Sequence, residues 1–293
     1  MSTDNFVHLH LHTQYSLLDG ANKITDVIER ARNIGQPAIA MTDHGNLHGA
    51  IEFYSHAKKN EIKPIIGCEL YVANESRFNK KGDSSEKSVF HLTALASTNE
   101  GYRNLCKLSS LAYKEGFYYK PRVDHELLER YGEGLIILSG CLAGELSTYA
   151  RQDDRKRAKE LVDFYLKTFK DRFYFEVQPH PIPEQRHLND ICVDLAKEFG
   201  VPIVATTDCH YGGEDDHYAQ EVLMCISTGK QVTDPDRLKH DNVTLHLKTA
   251  REMVDGFFGA SWASEAVKNS LSIGEKCNLS FDFNTYYMPQ FRE

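Results

Sequence analysis

Histidine alternates with apolar residues in Phe6-Val7-His8-Leu9-His10-Leu11-His12, and a period of two is that of a strand. The alternation predicts His8, His10 and His12 on one face, with Val7, Leu9 and Leu11 on the other. A neutral imidazole carries a donor and an acceptor that both need partners when buried. Three in a row are therefore poor core filling and good ligands for a divalent metal. Further chemistry-bearing residues follow in short motifs: Asp19 in Ser16-Leu17-Leu18-Asp19-Gly20, then Thr42-Asp43-His44-Gly45, Gly67-Cys68-Glu69, His91, Ser139-Gly140-Cys141 and Asp208-Cys209-His210. Taken singly, each has a plain structural reading. Asp43 could cap a helix through backbone amides, Asp208 and His210 could form an ion pair, and Cys141 could be a core thiol.

The elements that would position these residues alternate. Apolar strand-like runs at 38–41, 64–70, 89–96, 134–138, 172–177 and 201–205 are mostly separated by amphipathic or charged helical stretches at 23–33, 47–60, 100–113, 125–131, 144–169 (broken near 152–155) and 184–199. With the opening run this gives about seven strands and predicts a parallel sheet with right-handed crossovers. His10, His12, His44, Glu69, Cys141, Asp208 and His210 fall at or just past the ends of successive strands. A barrel mouth collects residues from every strand, whereas an open sheet draws on a few at one switch point, so a closed (β/α) barrel is the expected fold class. His91 falls near the start of its strand. Residues 74–88 have the composition of a mobile surface loop. From about Glu214 the pattern changes to helices at 218–227 and 262–276, which predicts a barrel over 1–213 and a helical appendage over 214–293.

Five histidines, three carboxylates and one cysteine exceed what one catalytic ion uses, since a catalytic zinc takes three protein ligands and leaves a position open. Several ions sharing the site are expected, and imidazole with carboxylate suits zinc, manganese or iron. Two or three ions within about 4 Å can bridge a hydroxide, hold a phosphoryl oxygen and stabilise a leaving alkoxide, which makes phosphoester hydrolysis the natural reaction.

Seven scattered cysteines without a C-x-x-C pair point to a reducing compartment and a cytoplasmic protein, and neither a signal peptide nor a membrane-length apolar run is expected. The net charge of −8 excludes an overall basic field for sequence-independent nucleic-acid binding. No run in the sequence reads as a basic groove or a stacking platform. Gly116-Phe117-Tyr118-Tyr119-Lys120-Pro121-Arg122 is an aromatic and basic loop, with Lys120 and Arg122 as candidate substrate contacts.

The motifs H-x-H-T (10–13), T-D-H-G (42–45), G-C-E (67–69), S-G-C (139–141) and D-x-H (208–210) resemble those of the PHP (polymerase and histidinol phosphatase) superfamily. H-L-H-T-Q-Y-S-L-L-D-G, E-G-F-Y-Y-K-P-R-V-D (115–124), L-S-G-C-L-A-G-E (138–145) and Y-Y-M-P-Q-F (286–291) resemble, more closely, the N-terminal PHP domains of bacterial replicative DNA polymerase III alpha subunits. The resemblance covers nearly the whole chain. It implies a distorted seven-stranded (β/α) barrel holding up to three ions: the first on His10, His12, Glu69 and Asp208, the second on Glu69, His91 and Cys141, the third on Asp19, His44 and His210. His8 is left out of that set, so two histidines of the opening run remain as ligands. Asp208, Glu69 and His12 would form the catalytic core.

The resemblance further implies that the chain is part of a longer polymerase, with the rest of the alpha subunit, a primer-template or single-stranded DNA 3' end and a separate proofreading exonuclease as partners, and no membrane. Three functions follow: a 3'-5' exonuclease, a structural module docking a separate exonuclease, and a small-molecule phosphatase or pyrophosphatase.

Overall fold

The computed structural model of the chain describes residues 5–81, 89–240 and 242–289; residues 82–88 of the expected loop and the terminal Gln290 and Phe291 lie outside the described residues. One sheet holds seven strands: β1 (Ala38–Met41), β2 (Lys63–Ala73), β3 (Val89–Ala96), β4 (Arg122–Val123), β5 (Leu135–Leu138), β6 (Phe173–Val177) and β7 (Ile203–Ala205). Around it lie α1 (Ile24–Asn33), α2 (Ala50–Lys59), α3 (Asn99–Lys114), α4 (His125–Tyr131), α5 (Glu145–Arg151), α6 (Arg155–Phe169), α7 (Pro183–Phe199), α8 (His217–Thr228), α9 (Ala250–Asp255) and α10 (Ala263–Lys276). The strand order is β1-β2-β3-β5-β6-β7, with β4 paired to β2 off that path.

The N-terminal run joins the sheet's two edges. His8 bridges Ile39 of β1, and Leu11 bridges Cys209 just past β7, which curls the sheet into the expected distorted barrel. The run itself is not a regular strand, a correction with a local cause. Its amides are taken by side chains: Val7 N–H by Ser270, His8 N–H by Gln36, Leu11 N–H by Thr42 and Thr13 N–H by Asp43. The ladder is therefore broken into isolated bridges, and the short β4 takes the seventh place in the strand count.

The sheet is not wholly parallel either. β3 runs antiparallel to both β2 and β5, so β2 and β3, neighbours in sequence, pair directly without the long crossover that a parallel pair needs. This reversal puts the start of β3, not its end, at the mouth, and Tyr71 of β2 pairs with His91. The position of His91 near its strand's start is thus the right one.

Side chains two apart share a face, and each strand spends its inward face twice. Ile65, Leu95 and Tyr174 pack with Val7, Leu9, Ala38 and Val204 inside the barrel. Glu69, His91, Thr93 and Glu176, two or four residues along the same strands, face the mouth. Two outer cores lie under the helices, one beneath α1 and α2 and one beneath α3 to α7. Ile273 and Cys277, on and just beyond α10, join the inner core, and Val7 N–H bonds Ser270 of that helix. α10 therefore closes the end of the barrel opposite the mouth. No helix among the described residues is long and apolar enough to cross a membrane.

Candidate metal centre

Glu69, fully buried at the mouth end of β2, is the hub. Its Oε1 lies 3.1 Å from His10 Nε2 and 3.2 Å from His91 Nδ1; its Oε2 lies 2.7 Å from His44 Nδ1 and 3.5 Å from His12 Nε2. Asp208 Oδ1 stands 3.2 Å from His10 Nε2 and 3.1 Å from His12 Nε2. Asp19 Oδ2 is held between His44 Nε2 at 2.9 Å and His210 Nε2 at 3.1 Å. Cys141 Sγ completes the ring, 3.8 Å from Glu69 Oε1 and 3.9 Å from His91 Nδ1. All nine residues singled out from the sequence meet in one cluster. Three overlapping groups have the spacing of a cation site: His12, Asp19, His44 and His210; His10, His12 and Asp208; and His44, Glu69 and His91.

Three imidazoles are oriented by oxygen acceptors on their far nitrogen. His10 Nδ1 faces Glu176 Oε1 at 2.7 Å, and His210 Nδ1 donates to the Asp208 carbonyl at 2.7 Å. Ser16 donates its hydroxyl to Asp43, so its oxygen accepts from His12 Nδ1 at 2.9 Å. With the proton fixed on Nδ1, each Nε2 presents a lone pair to the centre, the arrangement that metal-ligating histidines use. His10 Nε2, His12 Nε2, His44 Nδ1, Glu69 Oε2 and Asp208 Oδ1 are buried there without a hydrogen-bond partner. Orphaned buried polar atoms are costly, and five converging on one point fit a divalent cation.

The electrostatics favour positive charge in the same place. Burial alone would push His10 down, but Asp208, Glu176 and Glu69 together hold it well above the usual imidazole value. Burial likewise opposes protonation of His44 and His210, yet Glu69 and Asp19 lift the former to about 10, and Asp19 and Asp208 lift the latter to about 9. His12, buried beside His44 and His210, is pushed down to about 3. Burial, with Glu69 and Asp208 nearby, pushes the Cys141 thiol well up. A thiolate there needs a neighbouring cation.

Backbone geometry explains how short motifs aim these groups. Asp208 has φ +52°, a left-handed conformation that costs a non-glycine residue about 1–3 kcal/mol and concentrates at functional sites. It turns Asp208 and His210 toward the mouth while Cys209 enters the core. Gly140, at φ +87°, brings its Cα so close to His91 that a Cβ would lie 2.5 Å from the His91 carbonyl oxygen, and this approach carries Cys141 into the cluster.

His8 stands apart from the other two histidines of its run. It is buried, with Nε2 3.0 Å from the Lys248 carbonyl and Nδ1 3.1 Å from Thr207 Oγ1, and burial pushes it down to about 3. The expectation of three ligands on one strand face gives way to two. Arg122 is also corrected as a substrate contact. Its side chain is buried and donates to the carbonyls of Gly116, Arg77 and Asn79, so it braces its loop. Lys120 does reach the mouth, where a cleft of about 620 Å³ is lined by Asp19, His44, His91, Cys141, Asp208 and His210 on one side and by Tyr71 and Lys120 on another.

Sequence reasoning missed Glu176. It lies buried in β6, bonded by Thr206, Thr93, Gln178 and the Gly140 amide as well as facing His10. Its signal was a single carboxylate within Phe173-Tyr174-Phe175-Glu176-Val177, at the strand end where the ligands lie. Glu176→Gln should weaken metal affinity about 10–100-fold, the usual loss when a carboxylate behind a ligating histidine is removed. Competition titration against a chromophoric chelator measures it; unchanged affinity would remove Glu176 from the site. For Cys141, alkylation should run several-fold faster after chelation than in metal-loaded protein. Equal rates would make Cys141 a core thiol.

The PHP domain family matches residues 8–180. The chain is 44% identical over 273 residues to the DNA polymerase III subunit alpha of Borreliella burgdorferi, covering 93% of this chain and 24% of that protein. It is 43% identical over 295 residues to the same-named subunit of Deinococcus radiodurans, covering 97% and 22%. The chain thus spans about a quarter of the length of these relatives. Among solved structures, an amidohydrolase from Chromobacterium violaceum aligns with a TM-score of 0.45 at 15% identity, over 71% of this chain and 89% of that one. With the family match spanning more than half of the chain, and the matched segment carrying seven of the nine clustered residues, the chain belongs to the PHP domain family.

Proposed function

We propose that this chain is the metal-dependent phosphoesterase domain of a replicative DNA polymerase alpha subunit, working on the 3' end of a DNA strand as a 3'-5' exonuclease in proofreading. The observation that carries the reading is the convergence of unpartnered, oriented donors around Glu69. In this reading residues 1–213 form the barrel, and 214–293 complete the domain and lead toward the polymerase palm. The rest of the alpha subunit is the partner and the cytoplasm the compartment. The nine residues His10, His12, Asp19, His44, Glu69, His91, Cys141, Asp208 and His210 hold two to three ions of zinc, manganese or iron. Such ions polarise a phosphoryl oxygen and make water a nucleophile at neutral pH.

The chain's own residues divide the remaining work. Glu176, Ser16 and the Asp208 carbonyl hold the imidazoles in one tautomer, while Glu69 and Asp208 supply negative charge on both sides of the first site. Lys120, 5.2 Å above the Tyr71 ring, is placed to steady a phosphate. A net charge of −8 repels DNA over roughly a Debye length, about 8 Å at physiological salt. The isolated chain should therefore be a weak nuclease, and neighbouring polymerase domains would supply the grip.

Hydrolysis by the metal-loaded chain and by the longer polymerase, assayed on a 3'-mismatched primer, a single strand and pyrophosphate, tests the reading. Release of 3'-terminal nucleotides, suppressed by chelation, supports it. Turnover of pyrophosphate alone would make the chain a small-molecule phosphatase. No turnover by either form would leave a module that docks a separate exonuclease.

A further inference from the structure

The far wall of the cleft is aromatic. Tyr113, at the end of α3, and Phe117 stand nearly parallel, 16° apart with ring centroids separated by 6.1 Å. Tyr119 follows at the tip of the same loop. The three are 45%, 49% and 64% exposed, and all line the cleft that the ligand cluster opens into. Single exposed apolar side chains are ordinary, but grouped ones mark binding surfaces.

The loop is built to hold this presentation. Tyr118 and Lys120 exchange backbone hydrogen bonds across Tyr119, which sits at φ +59°. A left-handed aromatic residue is strained, and such strain gathers at ligand clamps. Beneath it, Arg122 fixes the turn through three carbonyls. Inward from the rings, Lys120 lies over Tyr71, and Tyr71 stacks on His44 at 14° with centroids 5.6 Å apart. From the ligand cluster the contacts thus run His44, Tyr71 ring, Lys120 cation, with the exposed rings lining the same cleft.

We propose that Tyr113, Phe117 and Tyr119 form a stacking wall for unpaired nucleobases, so that the ligand of this cleft is a single-stranded nucleic-acid end whose phosphate lies toward Lys120 and the cluster. The inference rests on the phosphoesterase reading for the direction in which the strand lies. A base offers a flat π face of the kind aromatic side chains hold without sequence preference. A small phosphate ester without a base would leave this wall unused. The charge of the chain keeps overall affinity low, so the rings contribute the larger share of what the isolated chain can hold.

The test uses the 293-residue chain loaded with manganese and a short single strand carrying 2-aminopurine at its 3' end, with phosphorothioate linkages that block cleavage. Binding should quench the fluorophore. Phe117→Ala and Tyr119→Ala should each weaken binding about tenfold, Tyr119→Trp should retain it, and a strand with an abasic 3' residue should bind wild type and variants alike. Equal loss on the abasic strand, or no loss in either variant as for a face that meets another protein domain, would overturn the proposal. No turnover is needed, so quenching without hydrolysis of an unblocked strand by either the chain or the longer polymerase would sink the exonuclease reading alone. Hydrolysis without a ring effect would sink only the stacking wall.

Discussion

Glu69→Gln should empty most of the centre, lowering metal content by at least one ion per chain and any hydrolysis by more than about a hundredfold. The change keeps the side chain's shape and removes one charge, yet it touches five of the other eight groups in the cluster. Oε1 faces His10, His91 and Cys141, and Oε2 faces His44 and His12. An amide can offer only one acceptor oxygen and turns an N–H donor toward the nitrogens on its other side. Replacing a carboxylate that merely orients a ligand costs about 10–100-fold in metal affinity or activity, and a shared direct ligand should cost more. Elemental analysis and initial rates of the variant measure both effects. Wild-type metal content in Glu69→Gln would show that the carboxylate is not a ligand.

Removing metal should cost the fold several kcal/mol. A ligand that binds only the native state stabilises it by about 4 kcal/mol when present at a thousand times its Kd, and each kcal/mol moves Tm by roughly 2–4 °C in a chain approaching this size. Chelation should therefore lower Tm by roughly 10 °C, reversed by adding manganese or zinc. The physical cause is the packing of Glu69, Asp208, Glu176 and Asp19 around one point, where only cations relieve their repulsion. Protons compete for the same role. His44 and His210 are raised to about 10 and about 9, so metal must displace protons from them, and apparent affinity should climb as pH rises from 6 to 9. A Tm unmoved by chelation at pH 7.5 would count against a bound centre.

The ligand positions were legible because strand ends leave a local signature: an apolar run stops, and one or two metal-binding residues follow. Thr42-Asp43-His44 and Asp208-Cys209-His210 have this form, whereas Glu69 lies inside β2, which runs on to Ala73. The break between α5 and α6 was also visible, in the Gln152-Asp153-Asp154 stretch. What sequence hid were properties set by neighbours. The direction of β3 depends on its pairing with β2 and β5, although the polar composition of the stretch 74–88 carried the clue. Glu176 looks like an outward carboxylate until β6 is seen with its alternate face inside the barrel. Arg122 reads as a surface cation, but three carbonyls in the folded loop claim it. His8 shares the period of His10 and His12, yet Lys248, 240 residues away, supplies the carbonyl that satisfies it. The stacking wall escaped notice because Tyr113 lies on a helix and Phe117 and Tyr119 on a loop, so no run of sequence displays it.

If these nine side chains hold the proposed multi-ion centre, the ions should stay with the chain through purification. Inductively coupled plasma mass spectrometry of the chain, produced in manganese- and zinc-replete medium and desalted without chelator, measures them most directly. About two to three transition ions per chain are expected, with Asp19→Ala retaining the ions held around Glu69. Less than about one ion per chain in wild type would contradict the multi-ion centre.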